Sequence, residues 1–430
     1  MNQAQGASRP FVRGWVMVAT CLIGVSTGPA AFTLASMGLF LDGFQTEFGW
    51  NRAQASSALS IMMIVTALCM PLGGRLVDRF GIKRVLIPSV AIFGLLLLSV
   101  TMVTQLWQFI MVYVLIGSLA VGANSIAYMR LLAGWFDRRR GLAIGIAGSG
   151  TGLGFAYVPV ITQFAVAEWG WRGGYVCLGL IMLLVTLPLT ALVLKERPED
   201  VGLHVDGDAE PHPLDRDGGS REENGDTLWE AMRRRDFWFM ALTFVSVAFV
   251  LYGVIPHMVP MLQDRGIDTR TAAWIASLFG VATFGGRILI GWLVDHYEAR
   301  FVAFVFFFLS AVGMGLLVPD LPLWAVLASA VLLGGSLGAE VDMLAYLTSR
   351  YFGLRCFSQI FATLFGMVMV SMGLGPVTFG AVYEATGSYA MVIAAGVPAC
   401  LLAMVLIVLL APRPVKKASD LRAVTTHPAE

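Results

Sequence analysis

GGRLVDRFGIKRV, residues 73–85, contains the five-residue core GRLVD (Gly74–Asp78), and the chain returns to that core as GWLVD (Gly291–Asp295), 217 residues later. Three other loops repeat at the same offset to within one residue. Gly49 and Asn51 match Gly266 and Asp268, Trp135-Phe136 matches Tyr351-Phe352, and Glu168 matches Glu384. Agreement at four separate loops signals internal duplication, so two homologous halves are expected.

Composition says what fills each half. The chain is 57% hydrophobic and 13% charged, whereas soluble domains are about 25% charged, so the solvent is lipid. Apolar stretches long enough to cross a hydrocarbon core of about 30 Å as helices recur twelve times. The first runs from Gly14 to Phe40, carries no charge and shows no cleavage pattern, so it reads as a span and not a leader. The others cover 53–75, 85–104, 106–131, 141–166, 173–194, 237–262, 271–294, 301–319, 321–348, 357–382 and 389–411. The expected fold is an all-α membrane protein of twelve transmembrane helices in two six-helix bundles, 1–194 and 237–412, with a tail at 413–430. The connecting segment 195–236 holds 13 of the 28 acidic residues and no apolar periodicity, which predicts a solvated, disordered linker.

Of the 29 Lys and Arg residues, 24 fall on the side of the two termini; only Arg52, Arg172, Arg265 and Arg270 fall on the other, and Arg287 lies within a span. Basic residues collect in cytoplasmic loops, so both termini are expected inside. Trp50, Trp107, Trp169 and Trp292, near span ends, read as interfacial belt residues. The cysteines, five in number, show no metal-ligand spacing and read as packing residues. No nucleophile with a base and no nucleotide fingerprint points to an enzyme, and no cofactor or metal is expected. The glycine run Gly145–Gly154 opens a span with no strand before it, so it reads as close helix packing and not as a phosphate cradle.

The stretch Gly73–Val85 resembles the loop 2–3 signature of the major facilitator superfamily. FGWNRAQAS (Phe48–Ser56), GWFDRRRGLAIGIAGSGTGLG (Gly134–Gly154) and HMVPMLQDRG (His257–Gly266) are similar to its prokaryotic monocarboxylate-transporter and oxalate/formate-antiporter branches. The resemblance implies the major facilitator fold and uptake or exchange of small organic anions, commonly with a proton, in a bacterial inner membrane. It departs from animal members, which carry a lysine in the first span. The signature reads as a cytoplasmic gate. Gly74 permits close helix approach, Gly81 a tight turn, and the Asp78 carboxylate can meet a helix N-terminus or a basic partner across the halves. Arg79, Lys83 and Arg84 can pair or hold the loop at the anionic leaflet, and Asp295 repeats the role of Asp78 in the second half.

Charges inside a membrane need a partner or a purpose. Arg287 lies eight residues before Asp295, Asp342 eight before Arg350, and Glu340 ten before it, each roughly 12 to 15 Å from the basic edge. The resemblance implies that spans eight and ten are neighbours. Glu340 and Asp342, about 200° apart on a helix, cannot share a face. Asp342 falls nearer the seam of Gly334 and Gly338, which leaves Glu340 as the acid expected to face the cavity. Arg287 offers a planar fork for a substrate carboxylate, and Glu340 or Asp342 would carry the coupled proton. His257, between Pro256 and Pro260, and Asn124 and Tyr128 in span four are candidate hydrogen-bonders to substrate; Arg130 reads as an interfacial anchor. The expected function is proton-coupled uptake of a monocarboxylate, an aromatic-catabolism acid or a lactone. The chain would work as a monomer in the bilayer, without nucleic acid. The alternatives are drug or metabolite efflux, organic-anion antiport, and a membrane sensor on the same fold.

Overall fold

The computed structural model describes residues 8–50, 52–207, 225–267, 269–317 and 322–410. The tail at 413–430 and the loop residues Asn51 and Asp268 lie outside them. Among the described residues the helices make twelve crossings. In the first half, α1 runs as two segments, Ser8–Ser26 and Pro29–Phe48, followed by α2 (Arg52–Phe80) and α3 (Ile82–Ser99). Next, α4 is again two segments, Leu106–Leu119 and Ser125–Trp135, and α5 begins as Arg140–Gly148 and continues to residue 169. It is divided from α6 (171–192) by Gly170 at φ 69. The second half comprises α7 (Arg235–Gln263), α8 (Thr269–His296), α9 (Ala299–Gly315), α10 (Leu323–Tyr351), α11 (Phe357–Thr386) and α12 (Ala390–Val408).

Within the halves α1 packs on α5, α2 on α4, α7 on α11, and α8 on α10; between them α2 meets α11 and α5 meets α8. Lipid offers no hydrophobic drive for helix association, so small residues that admit a neighbour's backbone carry much of it. A side chain at Gly338 would sit 2.2 Å from the Thr283 carbonyl, and one at Gly334 2.3 Å from that of Phe279, so α10 lies directly on α8. The α5 glycine run has two such faces. Gly150 and Gly154 lie against the Leu22 and Ser26 carbonyls of α1, while Gly141, Gly145 and Gly148 lie against the second half.

Two spans expected to be continuous are broken. Gly28-Pro29 interrupts α1, since proline cannot donate to the preceding turn. Thr27 donates its hydroxyl back to the Ile23 carbonyl (3.1 Å) and accepts one from Thr186 (3.0 Å), in the π-helical turn Met182–Thr186 of α6. The α4 break, the 3₁₀ turn Val121–Ala123, lies beside it: a side chain at Gly28 would come within 3.6 Å of the Ala123 carbonyl. At the end of the first half away from the termini, Phe44 packs on Trp50, Phe109 and Trp171, and Tyr113 hydrogen-bonds Tyr175 at 2.9 Å. Trp50 is therefore core, while Trp107, Trp169 and Trp292 are exposed as belt residues would be.

The connecting segment departs from expectation at both described ends. Lys195 accepts a bond from the Trp135 indole (3.0 Å), Glu196 from the Lys83 amide (2.5 Å), and Asp206 from the amides of Asp137 and Arg138. At the far end Arg234 pairs with Asp226 and Asp236 and reaches the Tyr351 carbonyl, and Gly225 bridges Gly353. Composition reported the charge of this stretch; the docking comes from partners far away in sequence.

Candidate functional site

Because Gly334 and Gly338 seat α10 on α8, the next position on that row, Asp342, comes to the same helix. There Arg287 Nη1 donates to both carboxylate oxygens, at 3.1 and 3.3 Å. It is Asp342, and not Glu340, that meets the arginine. The packing row does not turn the acid away from the centre, because the row runs along the edge where α8 and α10 together face the first half. Gly148 of α5 closes over the pair: a side chain there would lie 2.2 Å from Asp342 Oδ1 and 2.8 Å from Arg287 Nη1. The Asp342 side chain is 2% exposed and that of Arg287 12%, so the opening is on the arginine's side. An ion pair so desolvated is held by mutual attraction and is costly to leave half-made.

Beyond Gly148, away from the basic end, the halves diverge. Gly152, one turn on, has only the Phe284 ring of α8 at 3.9 Å, and Phe155, on the same stripe, is exposed. Gly280, two turns before Arg287, would meet nothing within 4 Å. Glu340 points into the second half, is 1% exposed, and has no hydrogen-bond partner for either oxygen among the described residues. Arg287 is a charge within electrostatic reach of it, and Tyr252 of α7 lies within reach of Glu340, Arg287 and Asp342.

At the basic end the two copies of the repeat do the same thing. Asp78 accepts the amides of Ser358 (3.2 Å) and Gln359 (2.8 Å) at the start of α11, and Asp295 those of Gly141 (2.7 Å) and Leu142 (2.8 Å) at the start of α5. Each carboxylate thus caps a helix of the opposite half, where unsatisfied amides and the helix dipole favour negative charge. Gly74 admits the Ser358 carbonyl, 2.2 Å from where a side chain would begin. Between these caps Asp137 takes one carboxylate oxygen to both Arg140 and Arg350, at 3.0 Å each, while Arg350 also reaches the Asp137 carbonyl at 2.9 Å and Arg140 donates to Ser349.

The remaining candidates fall elsewhere. His257 has both ring nitrogens engaged, with Pro376 O at 3.0 Å and Tyr389 Oη at 3.1 Å. A carbonyl only accepts, so Nε2 carries the proton, and the ring ties α7 to α11 and α12. Tyr128 is fully buried in the first half, its ring filling the space left by Gly24. Asn124 starts the second segment of α4 and donates to the Val121 carbonyl at 3.4 Å. Gly81 takes φ 91 and begins α3. Arg79 lies over the ring of Phe80, and Arg84 is exposed. Sequence reasoning missed Asp137, Arg140 and Glu196, and it placed Arg130 at the interface, whereas Arg130 is buried and its Nε lies 3.9 Å from Asp78.

A family model described as Major Facilitator Superfamily matches residues 16–355 and 253–429. Human monocarboxylate transporter 12 is 27% identical over 414 residues, covering 90% of this chain and 79% of its own. Among solved structures, the proton:xylose symporter XylE superposes with a TM-score of 0.74 at 15% identity, over 96% of this chain and 99% of its own. The transporter FucP in the outward conformation gives 0.70 at 12%, over 94% and 99%. The chain is thus a transporter and not an enzyme, and it belongs to the major facilitator superfamily, with monocarboxylate transporters among its relatives.

Proposed function

We propose that the protein takes up a small monocarboxylate together with a proton by alternating access, with the basic end facing the cytoplasm of a bacterial cell. The observation that carries this reading is the desolvated Arg287–Asp342 pair where the halves meet. A substrate carboxylate arriving from the open side competes with Asp342 for the guanidinium. Asp342, displaced inside an apolar bundle, then takes up a proton, so the loaded site is as neutral as the empty one. Glu340 is a second buried acid, outside the contact with Arg287. Asp78 and Asp295 act as the gate: their caps hold the basic end shut, and tilting one half against the other gives up both. The resemblance to monocarboxylate transporters supports the choice of substrate, and the single guanidinium at this pair favours one carboxylate over two.

Uptake of labelled monocarboxylates into proteoliposomes under an imposed pH gradient tests the reading. Arg287→Gln should raise the apparent KM at least about tenfold, as expected when a charge-assisted bidentate contact is lost. Asp342→Asn should retain exchange but lose the response to the gradient. The double variant, in which neither member of the pair is left behind without the other, separates a folding defect from a binding one. If Arg287→Lys and Arg287→Gln transport with unchanged affinity and rate, the pair only fastens α8 to α10.

A further inference from the structure

The segment after α6 does more than join the halves. From Lys195 to Asp206 it lies along the basic end of the first half: Arg13 reaches the Val201 carbonyl at 3.4 Å, and Val205 is 7% exposed. Its last contact is the most specific. Asp206, at φ 63 and ψ 6, is the one non-glycine residue with positive φ among those described. That turn brings its carboxylate to the amides of Asp137 (3.1 Å) and Arg138 (3.0 Å), with Arg138 Nε at 3.6 Å. A left-handed residue other than glycine costs energy unless local hydrogen bonds compensate, and aspartate and asparagine are the residues that tolerate it best.

The two amides it holds belong to the loop between α4 and α5, and Asp137 of that loop reaches the other half. Its side chain and its carbonyl both receive Arg350. Asp206 therefore fixes the backbone from which the cross-half contact is made. We infer that Asp206 is a positioning residue of the transport cycle: the connecting segment acts as a latch that, through the α4–α5 loop, favours the state closed at the basic end. This inference rests on the alternating-access reading above. It adds that the equilibrium between the two states is set partly from outside the helical bundles.

The test is a distance measurement on the full chain in lipid nanodiscs, with the five cysteines replaced by serine and spin labels at Phe80 and Tyr297, exposed positions at the basic end of opposite halves. Asp206→Ala should lower the closed-to-open ratio at least about fivefold, since hydrogen bonds to a charged group are among the stronger ones. Asp206→Asn, which keeps one accepting oxygen and the tolerance for positive φ, should fall between Asp206→Ala and the unaltered protein. Asp200→Ala is the control: Asp200 accepts the Arg197 amide within the same segment and leaves the α4–α5 loop alone. If Asp206→Ala does not fold, Asp206→Asn carries the comparison. Equal ratios for Asp206 and Asp200 variants overturn the latch while leaving alternating access intact. A single distance in the unaltered protein, whatever the pH or monocarboxylate concentration, overturns alternating access and the latch with it.

Discussion

Replacing Gly148 by alanine inserts one methyl group into the junction of the two halves. That carbon would start 2.2 Å from Asp342 Oδ1 and 2.8 Å from Arg287 Nη1. Ordinary contact begins near 3.4 Å, so a displacement of about 1.2 Å is required. The carboxylate cannot swing away cheaply, because both of its oxygens are held by Arg287. The strain is relieved instead by separating α5 from α8 and α10 at this depth, which is the movement that opens the basic end in the proposed cycle. Overpacking of this size costs about 1 to 3 kcal/mol, and a term present in only one of two states shifts their ratio by roughly 5- to 150-fold. Gly150→Ala is the matched comparison, since its methyl would sit 2.3 Å from the Leu22 carbonyl inside the first half. It should lower thermal stability and leave the ratio alone. The assay is the inter-half distance distribution in nanodiscs, read beside a thermal melt of each variant. Should Gly148→Ala and Gly150→Ala lower the melting temperature alike while neither alters the distances, the wedge argument is wrong.

Three further outcomes follow from the geometry. Asp78→Ala and Asp295→Ala should each shift the equilibrium toward opening at the basic end by about 1 to 3 kcal/mol, the cost of a lost charged cap; maleimide labelling of the half-buried Cys356, beside the α11 cap, should accelerate in Asp78→Ala, and an unchanged rate would count against the cap. His257→Ala should lower thermal stability by about 1 to 3 kcal/mol, the cost of leaving buried partners unsatisfied, with no change in apparent KM for monocarboxylate; a selective rise in KM would return His257 to the binding site. Glu47, past the apolar part of α1, is held below the ordinary glutamate value of 4.5 by hydrogen bonds from Arg172 and Trp171. A depressed carboxylate stabilises the fold above its unfolded pKa and loses that contribution as pH falls through the folded value, so the melting-temperature gap between the protein and Glu47→Gln should shrink below about pH 4.5; a gap independent of pH would refute the assignment.

Much of the frame was legible because duplication and hydropathy are properties of the chain itself. The Gly74–Asp78 core and its copy at Gly291–Asp295 announced two equivalent halves, and the structure gives both aspartates the same task. The α1 break was also written in the sequence, as the Gly28-Pro29 dipeptide, but an unbroken apolar stretch masked it. The α4 break had no comparable mark. The choice between Glu340 and Asp342 turned on what a glycine row means: Gly334, Gly338 and Asp342 share one face, and that face leads to α8, where the arginine is. Treating the row as packing alone favoured Glu340, whereas Asp342 is the acid that meets Arg287. Asp137, Arg140 and Asp206 were out of reach for another reason. Each works through a residue tens to hundreds of positions away, and loop composition is the same whether such partners exist or not.

At three points of closest approach the halves meet through bare backbone: Gly74 against the Ser358 carbonyl, Gly141 against that of Gly291, and Gly145 against that of Arg287. Glycine has no rotamers to surrender. Closing these glycine contacts therefore freezes no side-chain torsions at the glycines themselves, and parting them releases none. In the proposed cycle these contacts would add little to the entropy difference between the two conformations. In the proposed cycle a single carboxylate and a single proton, each worth only a few kcal/mol of differential affinity, would then be enough to decide which way the molecule faces.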